Sequence, residues 1–204
     1  MPAIAPEHPV DHIILGIDPG TLVMGYGILH IQGREIKMID AGHLSLRAAD
    51  PHLLRLQKIF TFTQELIHQH QPDQMAIEAP FFAKNVQSLL KLGRAQGAAI
   101  AAALNHSVPV FEYLPKKIKH SVTGNGNASK QQVAAMLCTL LRVPTDGLKA
   151  DATDALGAAF CHLMQQKPDQ PTRQSVNSPS GKTSSSKTKK AWAQFLQSHP
   201  ERQR

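Results

Sequence analysis

Cysteine is scarce in this 204-residue chain, with Cys138 and Cys161 the whole complement. Each lies inside an apolar helical pattern, where a buried reduced thiol is the expected state, so disulfide scaffolds and cysteine-based zinc modules are excluded. Long hydrophobic runs are lacking too. The greasiest stretch, Gly97 to Leu104, is short and alanine-rich, far below the roughly 18 consecutive apolar residues of a membrane helix. The opening MPAIAPEHPVDH has no basic start followed by an apolar run, which argues against a secretory signal. A cytoplasmic protein with no membrane partner is expected. Histidine is plentiful, at 11 residues, yet His68 and His70 are two apart on a helical pattern and point to different faces, and no metal is assigned to histidine. No internal repeat is found.

What remains is an ordinary globular composition, 42% hydrophobic and 18% charged with only 5% aromatic residues, at a length suited to one domain. Positive charge is in excess, at +7, but unevenly placed. Residues 167–204 carry eight Lys/Arg against Asp169 and Glu201, which leaves 1–166 at +1. Within that body, 84–130 gathers Lys84, Lys91, Arg94, Lys116, Lys117, Lys119 and Lys130 against Glu112 alone. Past Gln165 the chain turns to Ser, Lys, Pro and Gln, too poor in apolar groups to offset the entropy of ordering. The expected division is an N-terminal extension over 1–12, a folded domain over 13–166 and a basic, largely disordered tail over 167–204. Near the tail's end, Trp192, Phe195 and Leu196 have the spacing of a short amphipathic helix.

The body reads as mixed α/β. His12 to Ile17 is a short apolar run ending at Asp18-Pro19-Gly20, a strand and a turn. Met24 to Ile31 and Ile36 to Leu44, separated by Gln32-Gly33-Arg34-Glu35, suit a hairpin, so three antiparallel strands are expected. Asp50 before Pro51 predicts a capped helix with proline in its first position, running to about Gln71. Gln74 to Ile77 is a strand ending at Glu78. A helix follows from about Val86 to Leu104, in which Gly93, Ala95, Gly97, Ala98 and Ala102 permit close contact with a second element or a second copy. Val108 to Glu112 is a fifth strand and Pro115 to Val122 a short basic helix. Ser129 and Gln132 have capping-box spacing, which predicts a helix over Lys130 to Leu141. Ala150 to Met164 is the last helix.

Four acids stand out of this pattern. Asp18 and Glu78 each end an apolar strand, and a right-handed crossover through the helix between them places those strands side by side and parallel, at the switch point where open α/β sheets bind ligands. Asp151 and Asp154 lie three apart near the start of the last helix and share a face. Gathering carboxylates raises their proton affinity and costs stability. A divalent cation is the economical reason to do so. Mg²⁺ takes hard oxygen ligands, and two such ions can activate one oxygen and stabilise the leaving oxygen of a phosphodiester. Any one of these acids alone has an ordinary reading as a turn former or as compensation of a helix dipole.

The stretches ILGIDPGTLVMGYGIL from Ile14, DQMAIEAPFFAKNVQSLLKLGRAQGAAIAAALN from Asp73, VFEYLPKKIKHSVTGNGNASKQQV from Val110 and KADATDALGAAFCH from Lys149 resemble the RuvC family of bacterial Holliday junction resolvases, members of the RNase H-like superfamily. The resemblance covers about 13–166. It implies a five-stranded mixed sheet in the order 3-2-1-4-5 flanked by helices. It also implies a catalytic, metal-binding tetrad of Asp18, Glu78, Asp151 and Asp154, holding two Mg²⁺ with Mn²⁺ as a substitute. Lys119 and Lys130 fall where the family keeps cations near the scissile phosphate. Phe81, with Phe82 beside it, matches the position that stacks on bases near the crossover. Lys84, Asn85, Lys91, Arg94, Lys116 and Lys117 join Lys119 and Lys130 as expected DNA contacts. Ala79-Pro80 departs from the pattern, since relatives often carry Gln and a β-branched residue there.

The resemblance thus implies a homodimeric endonuclease of homologous recombination and repair. It would nick two strands of a four-way DNA junction symmetrically, leaving 5′-phosphate and 3′-hydroxyl ends, with branch-migration proteins of the RuvA and RuvB type as further partners. A junction-binding module that recruits another nuclease is the alternative, though retention of all four acids speaks against it. A less selective RNase H-like nuclease is a further rival. An actin-like ATPase, which also carries a DxGT loop, needs a second domain for which the chain is too short.

Overall fold

The structure, a computed structural model, describes residues 11–80, 85–143 and 148–166. An antiparallel meander of β1 (Asp11–Asp18), β2 (Val23–Gln32) and β3 (Glu35–Ser45) is followed by α1 (His52–His70), β4 (Gln74–Glu78), α2 (Val86–Asn105), β5 (Val110–Tyr113), α3 (Pro115–Thr123), α4 (Lys130–Leu141) and α5 (Ala150–Gln165). One sheet holds the five strands in the order β3-β2-β1-β4-β5, as the resemblance implies. β4 lies parallel to β1, with Ile17 opposite Ile77, and parallel to β5, with Glu78 opposite Tyr113. Central strands covered on both faces should be apolar at successive positions, and Ile14, Leu15, Ile17, Met75, Ala76 and Ile77 are all fully buried.

Two cores result, one on each face. Leu15, Ile17, Met24, Met75 and Ile77 join Ile59, Leu66, Ala95 and Ala99 of α1 and α2. Ile14, Leu29 and Ala76 join Ile118, Val133, Leu137, Leu156 and Phe160 of α3, α4 and α5. The expected thiols are buried in this second layer, and the Cys161 Sγ lies 3.2 Å from Ser121 Oγ. Among the described residues no helix is long and apolar enough to cross a membrane.

Three local expectations are corrected. Asp50 does not cap α1: Pro51 takes the cap position without a side-chain hydrogen bond, and the Asp50 carboxylate instead accepts from Lys58 Nζ at 2.7 Å. β5 begins at Val110 rather than Val108. Pro109 has no N–H to give a ladder, and the Val108 N–H turns back to the Ala103 carbonyl at 3.0 Å. The small residues of α2 do not form one face. Ala95 and Ala102 are buried in the core, whereas added Cβ atoms at Gly93 and Gly97 would meet nothing within 4 Å. The tail, with Trp192, Phe195 and Leu196, lies outside the described residues.

Candidate active site

Asp18 and Glu78 close β1 and β4, whose parallel pairing runs through Ile17 and Ile77 and so sets the two carboxylates on neighbouring strands at one edge of the sheet. The β4–β5 ladder continues one step beyond Glu78, where the Ala79 N–H donates to the Tyr113 carbonyl at 2.9 Å. The departing Ala79-Pro80 segment therefore still fixes Glu78 from its C-terminal side, and Pro80, lacking an N–H, ends the pairing.

α5 supplies the other two acids, and glycine sets how close it comes. A Cβ at Gly16 of β1 would lie 2.1 Å from the Ala155 carbonyl oxygen, and one at Gly25 of β2 would lie 1.9 Å from that of Asp151. Only bare backbone at these two strand positions lets the first turns of α5 rest on the sheet. Asp151 and Asp154 are thereby brought beside Asp18. The proximity registers in proton affinity. The Asp18 carboxyl is pushed up to about 8, by burial first and then by Glu78, Asp154 and Asp151, against the opposing charge of Lys130. Glu78 rises to about 7 through burial and Asp154, with Lys130 and Lys119 working the other way.

Both lysines are positioned by their helices. The Ser129 hydroxyl accepts from the Gln132 N–H at 3.2 Å and the Gln132 side chain accepts from the Ser129 N–H at 2.9 Å, the reciprocal box predicted from the sequence. It fixes the first residue of α4, Lys130, whose Nζ donates to Asp154 Oδ2 at 2.5 Å. That bond, with the surrounding acids, raises the lysine's proton affinity and keeps it cationic. Lys119, half-buried on α3, also favours the charged form of Glu78.

The donor set is four hard oxygen-bearing side chains whose mutual repulsion Lys130 and Lys119 offset only in part, a fit to divalent cations of the Mg²⁺ type. Among the described residues no three His, Cys, Asp or Glu side chains are closed into a metal-binding cluster. The acids stand coupled but apart.

Other expected contacts are placed variously. Lys116 and Lys117 are exposed on α3, and Lys117 Nζ sits 5.4 Å from the centre of the Tyr113 ring, which anchors it beside the end of β5. Lys91 and Arg94 are exposed on the first turns of α2. Asn85 has a structural task, since its side-chain oxygen caps α2 by accepting from the Gln87 N–H at 2.9 Å. Phe81, Phe82 and Lys84 lie outside the described residues.

Residues 14–162 match the family model described as crossover junction endodeoxyribonuclease RuvC. The chain belongs to the RuvC family. Similar relatives include a RuvC crossover junction endodeoxyribonuclease of Cytophaga hutchinsonii, 50% identical over 95% of this chain and 88% of its own length. One of Porphyromonas gingivalis is 46% identical over 96% of this chain and 99% of its own. Both alignments run beyond the segment that the family model matches, so the tail has a counterpart in these RuvC relatives, although the motifs end near residue 162. Among solved structures, Thermus thermophilus RuvC in complex with a Holliday junction superposes with a TM-score of 0.71 at 28% identity, covering 75% of this chain and 93% of that one. The RuvC fold is RNase H-like, as expected.

The coupled acids predict how stability depends on pH. In unfolded chains these carboxyls ionise near 4, whereas in the folded protein Asp18 and Glu78 hold their protons to about 8 and about 7. The stability they contribute is complete below pH 4 and is lost as pH rises through 7 and 8. His162, buried on α5 and held down to about 4 by burial and then by His12, acts in the opposite direction, and its contribution is lost as pH falls from 6.5 to 4. Metal-free protein should therefore show a falling Tm between pH 6.5 and 8.5, restored by Mg²⁺. A Tm flat over that window in chelator would contradict the coupling.

Proposed function

We propose that this RuvC-family chain is a structure-selective endonuclease acting in the cytoplasm as a homodimer. It resolves four-way DNA junctions in recombination and repair by paired, metal-dependent nicks that leave 5′-phosphate and 3′-hydroxyl ends. The observation that carries the proposal is the coupling of Asp18, Glu78 and Asp154 at one edge of the sheet, with Lys130 bound among them. Names of the relatives and of the Thermus complex support the substrate class.

In this reading Asp18, Glu78, Asp151 and Asp154 would hold Mg²⁺, which when bound would supply water activation and charge stabilisation for attack on the phosphodiester. The chain's own residues do the rest. Lys130, oriented by Asp154, and Lys119, whose charge acts on Glu78, present cations where negative charge accumulates on the phosphate. Lys84, Asn85, Lys91, Arg94, Lys116 and Lys117 contact the backbone and set affinity, while Phe81 or Phe82 stacks on unpaired bases at the crossover. Proteins of the RuvA and RuvB type deliver the junction. The test is an end-labelled synthetic four-way junction with linear duplex as competitor, in Mg²⁺ and in EDTA. Nicks at symmetric positions on the junction only, and only with metal, are expected. Equal cutting of duplex would favour a general nuclease.

The homodimer is assigned to the outer face of α2. Val86, Leu90 and Leu104 are exposed there at 69%, 52% and 59%, with Gly93 and Gly97 open between them. A two-fold pairing of this stripe presents two identical sites to a two-fold junction. Gly97→Glu should convert the dimer to monomer at micromolar concentration in sedimentation velocity and leave single nicks. A dimer of undiminished stability would remove α2 from the interface. The basic tail adds phosphate attraction. Truncation after Gln166 should flatten the salt dependence of junction binding by several counterions, and an unchanged slope would sink that role.

A further inference from the structure

The charge near the active edge is not confined to the residues already assigned to DNA. α1 begins at the same end of the sheet as the tetrad, because β3 delivers the chain there: the Leu46 N–H donates to the Leu22 carbonyl at 2.7 Å. Three residues into α1, Arg55 reaches back and donates from Nη1 to the Thr21 carbonyl at 2.8 Å. Thr21 follows Asp18 by three positions in the turn that leaves β1, so this bond ties α1 to the loop presenting the first carboxylate.

His52, the first residue of α1, has both ring nitrogens buried without a hydrogen-bond partner among the described residues, and Arg55 Nε is in the same condition. A half-buried imidazole whose two nitrogens are screened from solvent and neither donate nor accept is costly. The charges acting on its ring are Arg55 on its own helix and Arg94 and Lys91 on the facing α2, all cationic. Among the described residues none of those three forms an ion pair with a carboxylate. Asp50, the nearest acid in sequence, is held by Lys58 at 2.7 Å.

We propose that His52, Arg55, Lys91 and Arg94 form a phosphodiester site that spans α1 and α2, grips the nucleic-acid strand a few nucleotides from the cleavage point, and makes junction binding pH-dependent. A phosphate there supplies the acceptor that the His52 ring and Arg55 Nε lack, and negative charge that Asp50, which acts on Arg55 but is hydrogen-bonded to Lys58, supplies only in part. Its arrival favours the protonated imidazole, so binding takes up a proton and is tighter in mild acid. This rests on the reading of the chain as a junction nuclease and extends its DNA surface onto α1.

The test is junction binding by the full chain in EDTA, by fluorescence anisotropy at pH 6 and pH 8 over a range of salt, for wild type, His52→Gln and Arg94→Gln. Wild type should bind about fivefold more tightly at pH 6 than His52→Gln relative to the two proteins at pH 8, and Arg94→Gln should lower the salt slope by about one. A second arm follows the His52 ring by NMR while inorganic phosphate or junction is added. A shift with junction supports the site as a DNA contact, whether or not phosphate alone also shifts it. A shift with phosphate only overturns the DNA assignment. If wild type binds and cuts junctions while both variants bind with the same affinity, pH dependence and slope, this inference falls alone. If wild type neither binds nor cuts, the functional reading falls first.

Discussion

Asp18→Asn should cut four-way junctions at least about 10³-fold more slowly than wild type in Mg²⁺ while binding them within about twofold of its affinity. The asymmetry comes from what the carboxylate does. Asp18 is pushed up to about 8 by burial and by three acids around it, so its charge costs the free protein stability, a cost that a bound cation would offset. Removing that charge relieves the repulsion. The variant should accordingly be more stable than wild type in chelator at pH 8, by a few degrees in Tm, with the gain shrinking toward pH 5 as the wild-type carboxyl protonates. Higher stability with lost cutting is the signature of an active site, and it is not what a structural acid would give. A variant that is destabilised and still cuts would return Asp18 to the role of a turn former and reopen the alternative of a non-catalytic junction-binding module.

Gly25→Val should disable the enzyme without touching a reacting group. The added Cβ alone would stand 1.9 Å from the Asp151 carbonyl oxygen, a contact that helix backbone cannot yield to locally, so the first turn of α5 must lift off the sheet. Overpacking of this kind costs about 1–3 kcal/mol, several degrees in Tm for a domain of this size. Displacing Asp151 and Asp154 by about 1 Å should cost about 10²-fold in cleavage. Junction affinity, which depends on phosphate contacts elsewhere, should change little. Normal cutting by this variant would mean that the close approach of α5 does not set the tetrad.

The central features were legible in the residues because they rest on strong local signals. Asp18 and Glu78 follow unbroken apolar runs, Ser129 and Gln132 carry their capping box in their spacing, and the right-handed crossover leaves β1 and β4 few arrangements other than the parallel pair observed. The glycines under α5 were harder to interpret. A glycine inside a strand pattern signals a bulge, a bend or a close approach, and only the helix lying across Gly16 and Gly25 says which. His52 and Arg55 were missed for a different reason. Neither has a spacing motif, and a histidine at the start of an amphipathic helix looks like any solvated one until the fold sets the charges of Lys91 and Arg94 on α2 acting on it. Asp50 shows the converse, a favourable local cap set aside because Lys58 offered its carboxylate a charged partner.

The measurement that bears most directly on the central claim uses a supercoiled plasmid that extrudes a cruciform, incubated with the full chain in Mg²⁺. Paired nicks across the junction within one binding event convert the circle to a linear product with ligatable ends, whereas independent nicks leave a relaxed circle. The account predicts linear product from the start of the reaction, none in EDTA and none with Asp18→Asn. Relaxed circles alone, or linear product that persists with Asp18→Asn, would contradict a dimeric resolvase built on these four carboxylates.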